Sequence, residues 1–316
     1  MEHLRQDDPA RIGPYVPLAA LDARDGGRPV PDRRYLARSA DGDRTVLVCV
    51  PRPGADPARW AEEAGQALRL SLPRFLPVTE AAYDPAGFPW YAAPYTPVLP
   101  LPAALEAHGG PLPERFVHAL GAALADALAV AHAQGVTHAG VSPSAVLLTA
   151  DGPWLAGFGA VRAAGPDGTA RVGPAVSEPG CLAPEQLTGG RPRPLGDVYG
   201  LGAVLSYAST GHVVPESAEL PAALRPLITA CLARDPAARP DAARLAAALA
   251  AGAAGFPGPA TGAGAGPGPQ GPAATVLDAA FPVPLPARVV AGLVRQSAAA
   301  LAAVLPLSTT VPTARG

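Results

Sequence analysis

Few residues in this chain carry acid–base or metal chemistry, and those that do stand apart. His138 lies in the stretch His132 to Gly159, HAQGVTHAGVSPSAVLLTADGPWLAGFG, where it invites reading as a general base or a metal ligand. No Cys, Asp or second His sits at ligand spacing around it, which favours a packed core histidine. Between His138 and Gly159 the only carboxylate is Asp151, inside Asp151-Gly152-Pro153, a turn signature that belongs at a hairpin tip rather than in a site. All 24 residues counted as Lys or Arg are Arg, and the chain contains neither Lys nor Asn. It therefore has no ammonium point charge and no asparagine carboxamide to offer a phosphate or a metal. Cys49, Cys181 and Cys231 are far apart, with no C-x-x-C pair, which argues against a zinc site or a disulfide framework. Cys49 reads as a small buried hydrophobe.

The spacing of the stretch says more than its reactive groups. His132, Gly135, Val136, His138, Pro143, Val146, Leu147, Leu148, Phe158 and Gly159 follow the frame H-x-x-G-V-V-H-R-D-L-K-P-x-N-V-L-L, a hairpin, then D-F-G. Further on stand Ala183-Pro184-Glu185-Gln186, the run Asp197 to Leu205, and Cys231-Leu232-Ala233-Arg234-Asp235-Pro236-Ala237-Ala238-Arg239-Pro240, which fits C-L-x-x-D-P-x-x-R-P. Together these motifs resemble the protein kinase family over about residues 12–251, as a degenerate member of the bacterial serine/threonine kinases. The resemblance implies an α+β, kinase-like two-lobe fold, with a β-rich N-lobe and a helical C-lobe.

It also implies where chemistry should be. The catalytic Asp of the family falls on Gly140, its neighbouring Arg and Lys on Ala139 and Ser142, the metal-binding Asn on Ala145, and the metal-binding Asp of D-F-G on Gly157. The strand lysine of V-A-I-K falls on Cys49, and its helix partner is Glu63, which without that lysine is expected to be solvated or paired with an arginine. The Gly-rich loop falls on Asp22 to Gly27, with its first two glycines replaced by Asp22 and Arg24 and only Gly27 retained at its end; Arg28 to Arg33 read as an insertion. Phosphoryl transfer relies on positioning and charge stabilisation, and Gly and Ala can neither accept a hydroxyl proton nor hold magnesium. The roles implied to survive are structural: His138 packed on Phe158, Glu185 paired with Arg239, and Asp197 holding the catalytic-loop amides. The resemblance thus implies a pseudokinase with no catalytic residue, metal ligand or cofactor. ATP and magnesium enter only if the chain is a kinase with relocated residues or a nucleotide-responsive switch.

The elements that must position these residues are legible in outline. Hydrophobic residues make up 49%, enough for a sizeable core, and a net charge of −2 gives no footprint for nucleic acid. The N-terminus has no signal-peptide pattern, and with the lone cysteines this points to the cytoplasm. Tyr35 to Ser39 and Arg44 to Val50 read as a hairpin about an Asp-Gly turn. Asp56 to Leu72 reads as a helix capped by Asp56. Phe75 to Val78 and Trp90 to Ala93 read as the last two N-lobe strands. Pro94 to Pro102, with four prolines, is a stiffened hinge. Pro113 to Gln134 is the clearest helix, with Val117, Leu120, Leu124, Leu128 and Ala131 on one stripe.

The domain reading is an N-terminal tail (1–11), an N-lobe (12–98), a C-lobe (99–251) closed by a helix entered through Pro240, a disordered Pro/Gly/Ala-rich linker (252–275) and a tail (276–316) with an amphipathic helix at about 286–305. On a helical wheel Val289, Val290, Leu293, Val294, Leu301, Val304 and Leu305 share one face, with Arg288 and Arg295 opposite, which argues against a membrane span. That helix is expected to dock on the domain, bind an unknown protein partner or lie on a membrane surface.

Overall fold

β-Branched and aromatic residues set the N-terminal sheet. The computed structural model describes residues 2–22, 32–171, 180–255 and 281–303. Strands β1 (Tyr15–Ala20), β2 (Arg33–Ser39) and β3 (Thr45–Val50) are followed by α1 (Pro57–Arg69), β4 (Glu80–Tyr83) and β5 (Pro89–Pro94). The five strands form one antiparallel sheet in the order β1-β2-β3-β5-β4. The strand expected at Phe75 to Val78 is absent: Phe75 only bridges Leu155, and the β4 strand comes later, at Glu80, where the chain pairs with Ala92. β2 starts at Arg33, so the last residue of the presumed insertion belongs to the strand.

Alternation gives the sheet two apolar faces. Tyr15, Tyr35, Ala37, Val48, Trp90 and Ala92 pack on the outer one with Ile12. Leu47, Cys49, Tyr91 and Ala93 face inward, with Trp60 and Ala64 of α1. α1 starts as its cap predicts: the Asp56 carboxylate accepts the amides of Ala58 and Arg59.

The second lobe is helical. β6 (Leu99–Pro100) leads into α2 (Leu101–His108) and α3 (Glu114–Ala133); β7 (Val146–Thr149) and β8 (Gly152–Leu155) form the hairpin with Asp151 at its turn. Then come α4 (Ala160–Ala163), α5 (Pro184–Leu187), α6 (Pro194–Thr210), α7 (Arg225–Cys231), α8 (Ala242–Ala254) and α9 (Ala287–Ala302). α3 and α6 form the centre, and the predicted stripe Val117, Leu120, Leu124, Leu128 and Ala131 is fully buried. Among the described residues only α3 is long and apolar enough to cross a membrane, and here it is the core helix of the lobe. α8 is capped by Asp241, which accepts the Arg244 amide, so Pro240 precedes the helix instead of opening it; Gly252, Ala253 and Ala254 are helical rather than linker.

Candidate functional site

Three hydrogen bonds from α6 hold the loop at the centre of the site. Asp197, almost fully buried, accepts the amides of His138 and Ala139, both at 2.8 Å, and lies 2.9 Å from Nε2 of His132. Ala139 stands at φ 55°, a left-handed conformation that costs a non-glycine residue about 1–2 kcal/mol, and its hydrogen bond to Asp197 helps fix it there. The His138 ring is wedged edge-on between Phe75 (5.0 Å) and Phe158 (5.8 Å), and neither ring nitrogen has a hydrogen-bond partner. Burial lowers its pKa to about 4, so it is neutral at pH 7.

The positions expected to carry chemistry are brought together but are closed. Gly140 packs against the backbone of Gly157: a Cβ on Gly140 would meet the Gly157 carbonyl oxygen at 2.0 Å. There is thus no room for a side chain where the catalytic carboxylate would stand. Ser142 and Ala145 are buried, and the Ala145 carbonyl accepts the Ala156 amide.

The upper wall is equally occupied. Cys49 is fully buried, and burial raises its thiol pKa well above the ordinary value, which makes it inert. Directly across the ladder from Cys49 is Arg34, whose side chain is completely buried. Its Nε donates to Asp22 at 2.8 Å and its Nη2 to the other Asp22 oxygen. Asp22 therefore neutralises a guanidinium instead of facing an open loop. Asp32, also buried, accepts from Trp60 Nε1 (2.6 Å) and Tyr91 Oη (2.8 Å), and burial still pushes its pKa up. Glu63 takes the arginine alternative: both its oxygens accept from Arg162, each at 2.7 Å. Arg24 and Gly27 lie outside the described residues.

Between the lobes, Leu21 of the segment after β1, Leu47 of β3, Val98 of the hinge and Leu147 of β7 belong to one apolar cluster, each at most 3% exposed. Roof and floor of the cleft are thus in a single core. The residues do not fit ATP and magnesium: the metal positions bear no oxygen side chain, the carboxylate position is shut, and Leu47 and Leu147 meet in one apolar cluster between the lobes. Among the described residues no three His, Cys, Asp or Glu side chains gather as a metal site.

Away from the cleft, Glu185 of α5 and Arg239 make a two-pronged ion pair at 2.7 and 2.9 Å. Arg239 also donates to the carbonyls of Ala233 and Leu195 and lies over the Tyr199 ring at 4.9 Å. Burial raises the Glu185 pKa, but the Arg239 hydrogen bonds outweigh it and the net shift is downward.

Comparisons with known proteins agree with this architecture. The chain is 34% identical over 271 residues to the probable serine/threonine-protein kinase PkwA of Thermomonospora curvata, covering 79% of this chain and 35% of that protein. It is 33% identical over 273 residues to the serine/threonine-protein kinase AfsK of Streptomyces coelicolor, covering 79% and 33%. The chain thus spans about a third of the length of these curated relatives. A solved structure of the Mycobacterium tuberculosis PknI kinase domain, C20A mutant, superposes with a TM-score of 0.61 at 24% identity, over 78% of this chain and 97% of that one. No family model matches the chain. The chain belongs to the protein kinase family. Arg34 and Asp32 belong to no motif, and the V-A-I-K frame that contains Leu47 does not by itself mark it as cleft filling. The alternation of β2 and β3 was the available signal, because it places Arg34, Leu47 and Cys49 on the same inward face.

Proposed function

We propose that this kinase-fold domain acts as a pseudokinase, a scaffold or regulatory binding module that does not transfer phosphate. The observation that carries the reading is the contact between Gly140 and the Gly157 carbonyl, which leaves no room for a side chain at the position of the general base. A positioned base alone is worth ~10²–10⁴ in rate, and here the metal ligands are missing as well. The domain then acts through contacts with a protein partner, in the cytoplasm, without nucleotide or metal. Purified protein is expected to show no autophosphorylation and no ATP hydrolysis above buffer with Mg²⁺ or Mn²⁺. Turnover that survives purification and disappears on mutating Glu63 or Arg34 would overturn the proposal.

The second reading is a serine/threonine kinase using ATP and magnesium with relocated residues. It is favoured by its relatives, which carry kinase names. The third is a nucleotide-responsive switch without catalysis. A ligand that binds only the native state stabilises it by about 2.7 kcal/mol at a hundred times its Kd. Millimolar ATP–Mg²⁺ is therefore expected to leave the melting temperature unchanged under the first reading and to raise it under the other two.

A further inference from the structure

α9 touches both lobes and the hinge between them. The chain reaches it from Phe281, whose ring meets Phe116 of α3 edge-on at 5.6 Å and lies under the Arg74 guanidinium, and from Val283, buried in the C-lobe core. On α2, Arg288 donates to the His108 carbonyl at 3.1 Å. Val289 and Leu293 are buried, and a Cβ on Gly292 would lie 2.7 Å from the Leu99 side chain. At the other end Arg38 of β2 donates to the carbonyls of Ala300 (2.8 Å) and Ala303 (3.0 Å). These are acceptors a helix end leaves open, and a cation is favoured beside them. The apolar face inferred from the wheel is split: Val290, Val294 and Leu301 are exposed, while the docked face includes Gln296.

Gln296 is the informative residue. It is 5% exposed; its Oε1 accepts the Val98 amide and its Nε2 donates to the Val98 carbonyl, both at 2.6 Å. A buried carboxamide is unfavourable unless it is hydrogen-bonded. Here both partners come from one hinge residue, so any slip of the helix breaks both bonds and strands four polar groups. The hinge offers little else, because Pro94, Pro97, Pro100 and Pro102 have no amide hydrogen. The Val98 side chain belongs to the apolar cluster with Leu21, Leu47 and Leu147. Its backbone is therefore gripped from outside while its side chain helps fill the cleft.

We infer that α9 is an intramolecular latch that ties β2, the hinge and α2 into one body and so fixes the two lobes relative to one another, with the Gln296–Val98 pair as its keyed contact. The inference stands whether or not the domain transfers phosphate, and its test does not read turnover. Hydrogen exchange by mass spectrometry on the full chain compares wild type with Gln296→Leu, which keeps the packing but orphans the Val98 amide and carbonyl, and with Arg38→Ala. Exchange at Val98 and Leu99 and at the end of β2 is expected to rise on the order of ten- to a hundredfold in Gln296→Leu, and less in Arg38→Ala, with α3 and α6 unchanged. Unchanged hinge exchange in both variants would overturn the latch. A rise shared equally by α3 and α6 would also overturn it, leaving α9 as a general stabilising element. If Gln296→Leu does not fold, Arg38→Ala decides alone, because that side chain is only partly buried.

Discussion

Arg239 and Arg34 are both fully buried guanidiniums with a carboxylate partner, yet they serve different ends. Arg239 joins α5, through the Glu185 side chain, to the carbonyls of Leu195 and Ala233 and stacks on Tyr199, so it closes a polar network that ties three segments together. Arg34 is matched to Asp22 and leaves one nitrogen, Nη1, without a hydrogen-bond partner. The first arrangement holds the lobe together. The second neutralises charge beside the apolar cluster that joins the two lobes. Polar side chains persist where they bind backbone, and become self-paired or apolar where a nucleotide would have to be received.

Deleting these arginines is expected to produce the largest effects and tests the contrast directly. Arg239→Ala should lower stability by roughly 3–5 kcal/mol in urea unfolding, because it strands Glu185 and several carbonyls. The paired replacements separate the two regions. Asp22→Leu with Arg34→Leu is expected to stay within about 1 kcal/mol of wild type, since apolar residues often replace a buried ion pair without loss. Glu185→Leu with Arg239→Leu should still cost about 2 kcal/mol or more, because the carbonyls of Ala233 and Leu195 remain orphaned. Equal losses in the two double variants would erase the distinction.

His138 extends the comparison to pH. Its folded pKa of about 4 lies below the unfolded value of 6.5. The stability linked to keeping it neutral is complete above about pH 6.5, is lost as pH falls towards 4, and amounts to about 3 kcal/mol. His138→Leu is expected to flatten the stability profile in that window. Glu185, held below the ordinary carboxylate range, loses its contribution only at more acidic pH, so the two groups are separable by titration. A His138→Leu profile as steep as wild type between pH 6.5 and 4 would assign the loss to other groups.

Gly140→Asp restores the carboxylate the family frame calls for, and is expected to fail. The new Cβ meets the Gly157 carbonyl, and forcing extra atoms into a packed site typically costs 1–3 kcal/mol. Lower thermal stability with no gain in ATP hydrolysis is the expected pair of results. Normal stability would mean that the loop at Gly157 yields easily.

Motif frames alone located Asp197, Glu185, Arg239 and His138, because such residues act on fixed backbone at fixed spacing. The cleft filling was less legible. Arg34 carries no motif and Leu47 stands where the V-A-I-K frame has a small Ala, and their role depends on which face of β2 and β3 turns inward, a face that alternation groups and the pairing register fixes. The apolar run Phe75 to Val78 reads as a strand but is a largely buried connection, whereas β4, Glu80 to Tyr83, is a half-exposed edge with weak strand character. Gln296 carries no sequence signal of its role, because a polar residue on an amphipathic helix reads as solvent-facing until a backbone partner is known.

The smallest expected effect concerns Ala139. Converting it to glycine relieves about 1–2 kcal/mol of left-handed strain. Against this stand the extra backbone entropy of glycine, about 0.5–1 kcal/mol, and the loss of a methyl packed with Val161 and Leu182, about 0.8 kcal/mol. The terms nearly cancel, so Ala139→Gly should lie within about 0.5 kcal/mol of wild type. Ala125, equally buried but in the middle of α3, has no strain to relieve. There the same change should cost about 2 kcal/mol, from helix propensity and the lost methyl together. Matched melting curves of the two variants measure the strain stored at the loop. If Ala139→Gly is as damaging as Ala125→Gly, Asp197 holds an unstrained loop, and its two amide contacts organise the site without opposing any backbone cost.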